Sequence, residues 1–229
     1  MARVLPVNCW LIALLLYTLG KMPNLISADP LTIFLSILIL LVVIGVVISV
    51  HEASHAFVAN RLGDPTARLL GRMTLNPSVH IDPLGTILLP FILILLQLPV
   101  FGWAKPTPIN PMNFAKPRRD SALVALAGPV SNVILATAFA LLFRVSGQLI
   151  LVDIIRLNLI LAIFNLIPVP PLDGYKVVLG FLPKNLALRL SALESYGPLF
   201  ILVFLLLIIQ FIGPIIVSIQ NVFLRLLIG

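Results

Sequence analysis

Residues 48–63 read ISVHEASHAFVANRLG, and they continue a stretch, residues 31–50 (LTIFLSILILLVVIGVVISV), that holds twenty positions without a charge. As a helix, a run of that length crosses a hydrocarbon core about 30 Å thick. The sequence therefore predicts a membrane helix that runs straight into two histidines and a glutamate. Ionisable groups on such a helix are costly, and by default they mark function. His51 and His55 are four residues apart, so they lie one above the other on one helix face and can share a metal ion. Neutral imidazole nitrogen is a preferred zinc ligand. H-E-x-x-H on a helix is the pattern in which the glutamate, here Glu52, takes a proton from metal-polarised water. Two of the three histidines in the chain fall in this one turn.

Composition points to the same solvent. With 60% apolar residues, 10% charged residues and a mean hydropathy of +1.16 over 229 residues, the chain has too little polar surface to coat a soluble globule. Nineteen prolines, several inside or beside apolar runs, predict irregular backbone within the membrane. The net charge of +7 is no nucleic-acid footprint, because the fifteen Lys and Arg are scattered in short segments between apolar runs, as a topology signal is. Cys9 is the sole cysteine, which excludes an intramolecular disulfide and a cysteine zinc site.

Apolar runs at 4–20, 31–60, 84–102, 121–144, 149–167 and 196–228 predict an all-α polytopic membrane protein with about six transmembrane helices. The 4–20 run reads as a short or tilted span. The last run, divided at Gly213 and Pro214, reads as a C-terminal helical hairpin. The polar connections are too short for a further folded unit, so residues 1–229 form a single membrane domain.

A catalytic zinc needs a third protein ligand and an open position. The candidates are His80, Asp64, Asp82, Asp120, Asp153 and Asp173. Asp173 stands out because it ends FNLIPVPPLDG, where Pro168, Pro170 and Pro171 forbid a regular helix and Gly174 allows a tight turn. His80, in NPSVHIDPLG, is the second choice.

Three ordered motifs resemble the site-2 proteases, the intramembrane zinc metalloproteases of the peptidase M50 group. They are HEASH at 51–55, AGPVSN at 127–132 and NLIPVPPLDG at 165–174, within a core at about 31–180. The stretches NPSVHIDPLGT and FGWAKPTPINP further resemble a compact bacterial branch without PDZ or CBS domains. The resemblance implies one zinc per chain held by His51, His55 and Asp173, with Glu52 as general base. It also implies that Asn132 and Asn165 lie near the site and support substrate or transition state; the plainer reading is hydrogen bonding between helices. Trp103 and Lys105 match a loop proposed to contact substrate, and an interfacial Trp with a snorkelling Lys fits equally. Gly128 and Pro129 would loosen the helix beside the site.

The implied substrate is a single-span or similar membrane protein, cut within or near its membrane segment, with the lipid bilayer as the medium and no nucleic acid involved. Metal-ion transport, or a scaffold that binds without cutting, would use the same ligands; a transporter has no need of a base at position 52. Nothing in the sequence specifies an oligomeric state. Basic residues on both sides of 84–102 place both flanks in the cytoplasm, so this run is expected to dip into the membrane and return as a re-entrant segment. The chain then sits as a multi-pass protein in the plasma or inner membrane with the site nearer the cytoplasm. Twelve of the fifteen basic residues, Arg225 among them, fall inside, and Asp153 is placed to pair with Arg156.

Overall fold

The structure, a computed structural model, describes residues 29–89, 92, 103–192 and 198–229. The expected span at 4–20, Cys9, and most of the interior of the 84–102 run with Pro90 and Pro99 lie outside the described residues. Seven α-helices carry the described fold: α1 (Pro30–Arg61), α2 (Thr66–Leu69), α3 (Pro117–Ser146), α4 (Ile150–Asn165), α5 (Asp173–Phe181), α6 (Lys184–Ser191) and α7 (Pro198–Ile228). The segments Val42–Arg61, Pro117–Ser146 and Phe211–Ile228 are long and apolar enough to cross a membrane.

Local sequence sets the ends of α3. Pro117 opens the helix, where its missing N–H costs nothing, and Gly147 closes it in the left-handed region (φ 67°) with its N–H on the Phe143 carbonyl. Helix α3 packs against α1, α4 and α5, and α4 packs against α7. The small residues Ala136 and Ala140 let α3 approach Ile155 and Leu159 of α4 and Leu224 of α7 closely. On the other flank of α4, Leu157 and Leu161 meet Ile44, Val47 and Ile48 of α1.

Helices α1 and α3 are antiparallel, since His55 meets Val124 while His51, one turn earlier, meets Asn132. The Arg61 end of α1, the Pro117 end of α3, the Asn165 end of α4 and the start of α5 therefore gather at one end of the bundle. Between α1 and α3, the two ends of the 84–102 run also meet. The Trp103 N–H donates to the Gly85 carbonyl at 3.1 Å, and the Thr86 hydroxyl donates to the Trp103 carbonyl at 2.8 Å.

The C-terminal run differs from expectation. It is one 31-residue helix that passes through Pro214 without a hairpin. Proline removes a single helical hydrogen bond, whereas a turn in an apolar solvent would strand several backbone groups. Its C-terminal end lies beside the α3–α4 turn: Arg144 Nε donates to the Leu227 carbonyl at 2.9 Å, and Gln220 Nε2 to the Arg156 carbonyl at 2.7 Å. Arg225 thus belongs to the end that holds Arg144 and Arg156, opposite the end to which a hairpin would have returned it.

Candidate metal centre

His51, Glu52 and His55 occupy the last three turns of α1 and are buried. The Nε2 atoms of the two histidines are 2.9 Å apart, and Asp173 Oδ2 lies 3.1 Å from His51 Nε2 and 3.3 Å from His55 Nε2. These three ligand atoms form the one group of His, Cys, Asp or Glu among the described residues spaced to hold a metal. Zinc bonds of about 2.0–2.1 Å at tetrahedral angles put ligand atoms about 3.3 Å apart, close to the spacing present.

The outer nitrogens decide the tautomers. His51 Nδ1–H donates to Asn132 Oδ1 at 2.6 Å, and His55 Nδ1–H donates to the Val124 carbonyl at 2.7 Å. With Nδ1 carrying the proton on both rings, both Nε2 lone pairs face the same point, an arrangement that repels unless a positive charge is shared there. The donor set therefore fits zinc. Asn132 is held in turn: its Nδ2 donates to Asn158 Oδ1 at 3.1 Å, and Asn158 Nδ2 donates to the Ile154 carbonyl.

Gly128 lets α3 come this close. A Cβ there would sit 2.3 Å from His51 Nε2 and 2.5 Å from His55 Nε2. Close approach, rather than a loosened helix, is what this glycine provides, for α3 continues unbroken through Pro129. Gly174 has the matching role for Asp173, since a Cβ there would strike the Leu166 carbonyl at 2.2 Å.

Glu52 stands outside the ligand group. Its Oε2 accepts the Thr107 N–H at 2.9 Å and faces the Thr107 hydroxyl at 2.8 Å. Thr107 lies between Pro106 and Pro108, so its N–H is the sole backbone donor of that tripeptide. The loop that carries it is pinned on both sides. Lys105 N–H donates to the His80 carbonyl, and the buried Arg72 guanidinium donates to the carbonyls of Lys105 and Pro106. Further along, Asn110 N–H and Asn113 Nδ2 both donate to the Asp64 carboxylate at 2.7 Å.

The structure accounts for the other ligand candidates one by one. His80 Nε2–H donates to the Thr74 carbonyl, and its buried Nδ1 has no hydrogen-bond partner among the described residues. Asp64 also accepts from Thr66; Asp82 caps the turn at Leu84 and Gly85; Asp120 accepts the Lys116 N–H. Asp153 lies 3.8 Å from Arg156, the pairing expected from their spacing. Asn165 is buried at the end of α4, with its amide on the Leu161 carbonyl one turn back. The Trp103 ring lies against Gly85, and Lys105 is exposed, two residues from Thr107. Thr107, Asn158 and the Val124 carbonyl are the participants that sequence reasoning missed. The sole N–H between two prolines was the available signal for Thr107.

Among curated proteins, the chain is 39% identical over 189 residues to "Putative zinc metalloprotease YwhC" of Bacillus subtilis, an alignment covering 76% of this chain and 80% of that protein. The chain belongs to the site-2 protease family of zinc metalloproteases. "Putative zinc metalloprotease Rip2" of Mycolicibacterium smegmatis is 31% identical over 73% of this chain and 67% of its own length. The protein of the same name from Mycobacterium tuberculosis strain H37Rv is 32% identical over 68% of this chain and 62% of its own length. No family model matches the chain, and no solved structure matches it. Family membership and the His51, His55 and Asp173 donor set together identify zinc as the cofactor.

Proposed function

We propose that the chain is an intramembrane zinc metalloprotease that hydrolyses peptide bonds within or near the membrane segments of other membrane proteins, with Glu52 as general base. The observation that carries this reading is the division of labour in the site. Three buried side chains converge as metal ligands, while the intervening glutamate is kept apart from them and aimed by Thr107. A site built for ion transport has no use for that separate carboxylate.

Zinc supplies Lewis acidity toward a water molecule and a peptide carbonyl. The protein supplies the rest. Asn132 and the Val124 carbonyl fix the histidine tautomers, so that Nε2 would be the coordinating atom on both rings. The Glu52 carboxylate takes the proton of the attacking water and returns it to the leaving amine, and Thr107 holds Oε2 in place while it does so. A helical substrate has its carbonyls already hydrogen-bonded, so a stretch of it must be unwound before a peptide bond can reach the site. Asn165, Trp103 and Lys105 are assigned to substrate contact, Trp103 and Lys105 because their loop also carries Thr107.

The antiparallel pairing of α1 and α3 supports a re-entrant 84–102 segment. With their site-bearing ends together, residues 62–116 begin and end on one side of the membrane, and the contacts of Trp103 with Gly85 and Thr86 close the excursion at its base. With Arg225 moved to the outer end, ten of the thirteen Lys and Arg among the described residues still fall on the side of the site, which we assign to the cytoplasm of a multi-pass cell-membrane protein.

The test is co-expression with a panel of single-span membrane proteins in a strain lacking its own intramembrane proteases. At least one should be cut by the native chain and left whole by Glu52→Gln. A substrate cut equally by both would remove Glu52 from the role of base.

A further inference from the structure

Away from the metal centre, the start of α3, the outer face of α5 and the inner face of α6 enclose an open cavity of about 300 Å³. Small residues make the room. Gly180 lets α5 rest on Ala122, where a Cβ would sit 2.3 Å from the Ala122 Cβ, and Ala187 is the buried residue of α6. The walls are mostly apolar, Leu179 and Leu188 among them, and the basic residues Arg118, Lys176 and Lys184 border the cavity together with Ser121 and Ser191. Among the described residues, none that lines the cavity is acidic. Arg118 is fixed by bonds from its guanidinium to the carbonyls of Leu179 and Leu182, so it holds the corner between α5 and α6 at the border of the cavity. Lys176 and Lys184 are exposed.

Beside the cavity, Phe181, Leu186 and Leu188 are 65%, 49% and 62% exposed. Large apolar side chains displayed around lysines and an arginine, at the end of a membrane helix, fit the interfacial zone, where amphipathic helices lie with one face in lipid. A ligand that matches apolar walls and a cationic rim together has a hydrocarbon part and an anionic head.

We propose that this cavity binds one anionic phospholipid, its phosphate between Lys176, Lys184 and Arg118 and its acyl chains along Leu179 and Leu188. Charge complementarity selects the head, and the exposed Phe181 and Leu186 continue the apolar surface for the tails. The site touches the metal centre through one element, because α5 carries Lys176 and begins at Asp173. The Tyr175 hydroxyl on the Leu190 carbonyl ties α5 to α6, so lipid seated between them steadies the helix that presents the third ligand.

The test needs no protease substrate, so its failure would be distinct from failure of the protease reading. The full-length protein, purified in mild detergent, is titrated with phosphatidylglycerol or phosphatidylcholine and the lipid adducts are counted by native mass spectrometry. One phosphatidylglycerol should bind in preference to phosphatidylcholine. The Lys176→Gln, Lys184→Gln double variant should lose about 25-fold in affinity, roughly fivefold for each basic residue. Arg119→Gln and Arg189→Gln, exposed basic residues outside the cavity, should leave binding unchanged. Equal binding of the two lipids, or equal losses in the control variants, would reduce the cavity to general surface charge and overturn the proposal. Displacement of the lipid by millimolar inorganic phosphate would overturn it in favour of a soluble-anion site.

Discussion

At the residue scale, the site depends on atoms that are absent as much as on those present. Gly128→Ala places a methyl group where the two Nε2 atoms meet, and side chains packed at interior density cannot step aside by an ångström. The variant should insert in the membrane and purify, yet hold far less than one zinc per chain by elemental analysis; full zinc occupancy would contradict the close approach described. Thr107→Val keeps the backbone N–H bond to Glu52 and deletes the hydroxyl. Loss of one hydrogen bond to a charged group, worth about 1.5–3 kcal/mol, should slow cleavage roughly 10- to 100-fold with zinc retained, and Thr107→Ser should recover most of it. The pair His51 and His55 was legible in the sequence because ligands four residues apart share a helix face, with Glu52 between them; Asp173 stood out through the proline-rich break it ends and through the family resemblance, with His80 as the alternative. Thr107 and Asn158 were not, because a hydrogen bond between residues 55 positions apart, such as Thr107 to Glu52, leaves no periodicity to read.

At the scale of elements, one of the anchors of the loop that aims Glu52 is a carboxylate. Asp64 accepts from Thr66, Asn110 and Asn113, and so ties the turn after α1 to the segment before α3. Burial pushes its carboxyl up, but the hydrogen bonds from Thr66, Asn110 and Asn113 outweigh that and hold it below the usual carboxylate range. A folded-state value below the unfolded one gives stabilisation that is fully present above the unfolded value, about 4, and is lost as pH falls through the lowered one. Asp64→Ala, which leaves several donors without a partner, should destabilise by about 1–3 kcal/mol at neutral pH. The difference in melting temperature between native protein and Asp64→Asn, followed in detergent, should shrink as pH drops below about 4; a difference that grew on acidification would reverse the sign assigned here. Helices α1, α3 and α4 followed from their apolar runs. The expected C-terminal hairpin failed because Gly-Pro is a strong break signal in water, where a freed backbone group finds solvent, and a weak one in lipid, where it does not.

At the scale of the whole molecule, the metal centre exists only if α1 and α5 bring His55 and Asp173 to the same side, which constrains every segment between them. Single cysteines at Ser78 and Met112, both exposed, in a Cys9→Ser background should resist a membrane-impermeant thiol reagent in intact cells, whereas one at Gln148, at the far end of α3, should react. Labelling of Ser78 or Met112 alone from outside would contradict a 62–116 segment that starts and ends on one side. The most direct measurement pairs metal content with turnover. The purified native protein, Glu52→Gln and Asp173→Ala, each reconstituted in bilayer discs with a cleavable membrane-segment substrate, are assayed for zinc per chain and for product. Native protein should hold about one zinc and cut; Glu52→Gln should hold the same zinc and lose activity by about 10²-fold or more; Asp173→Ala should lose both. Zinc retained by Asp173→Ala, or cleavage at the native rate by Glu52→Gln, would contradict the assignment of ligands and base.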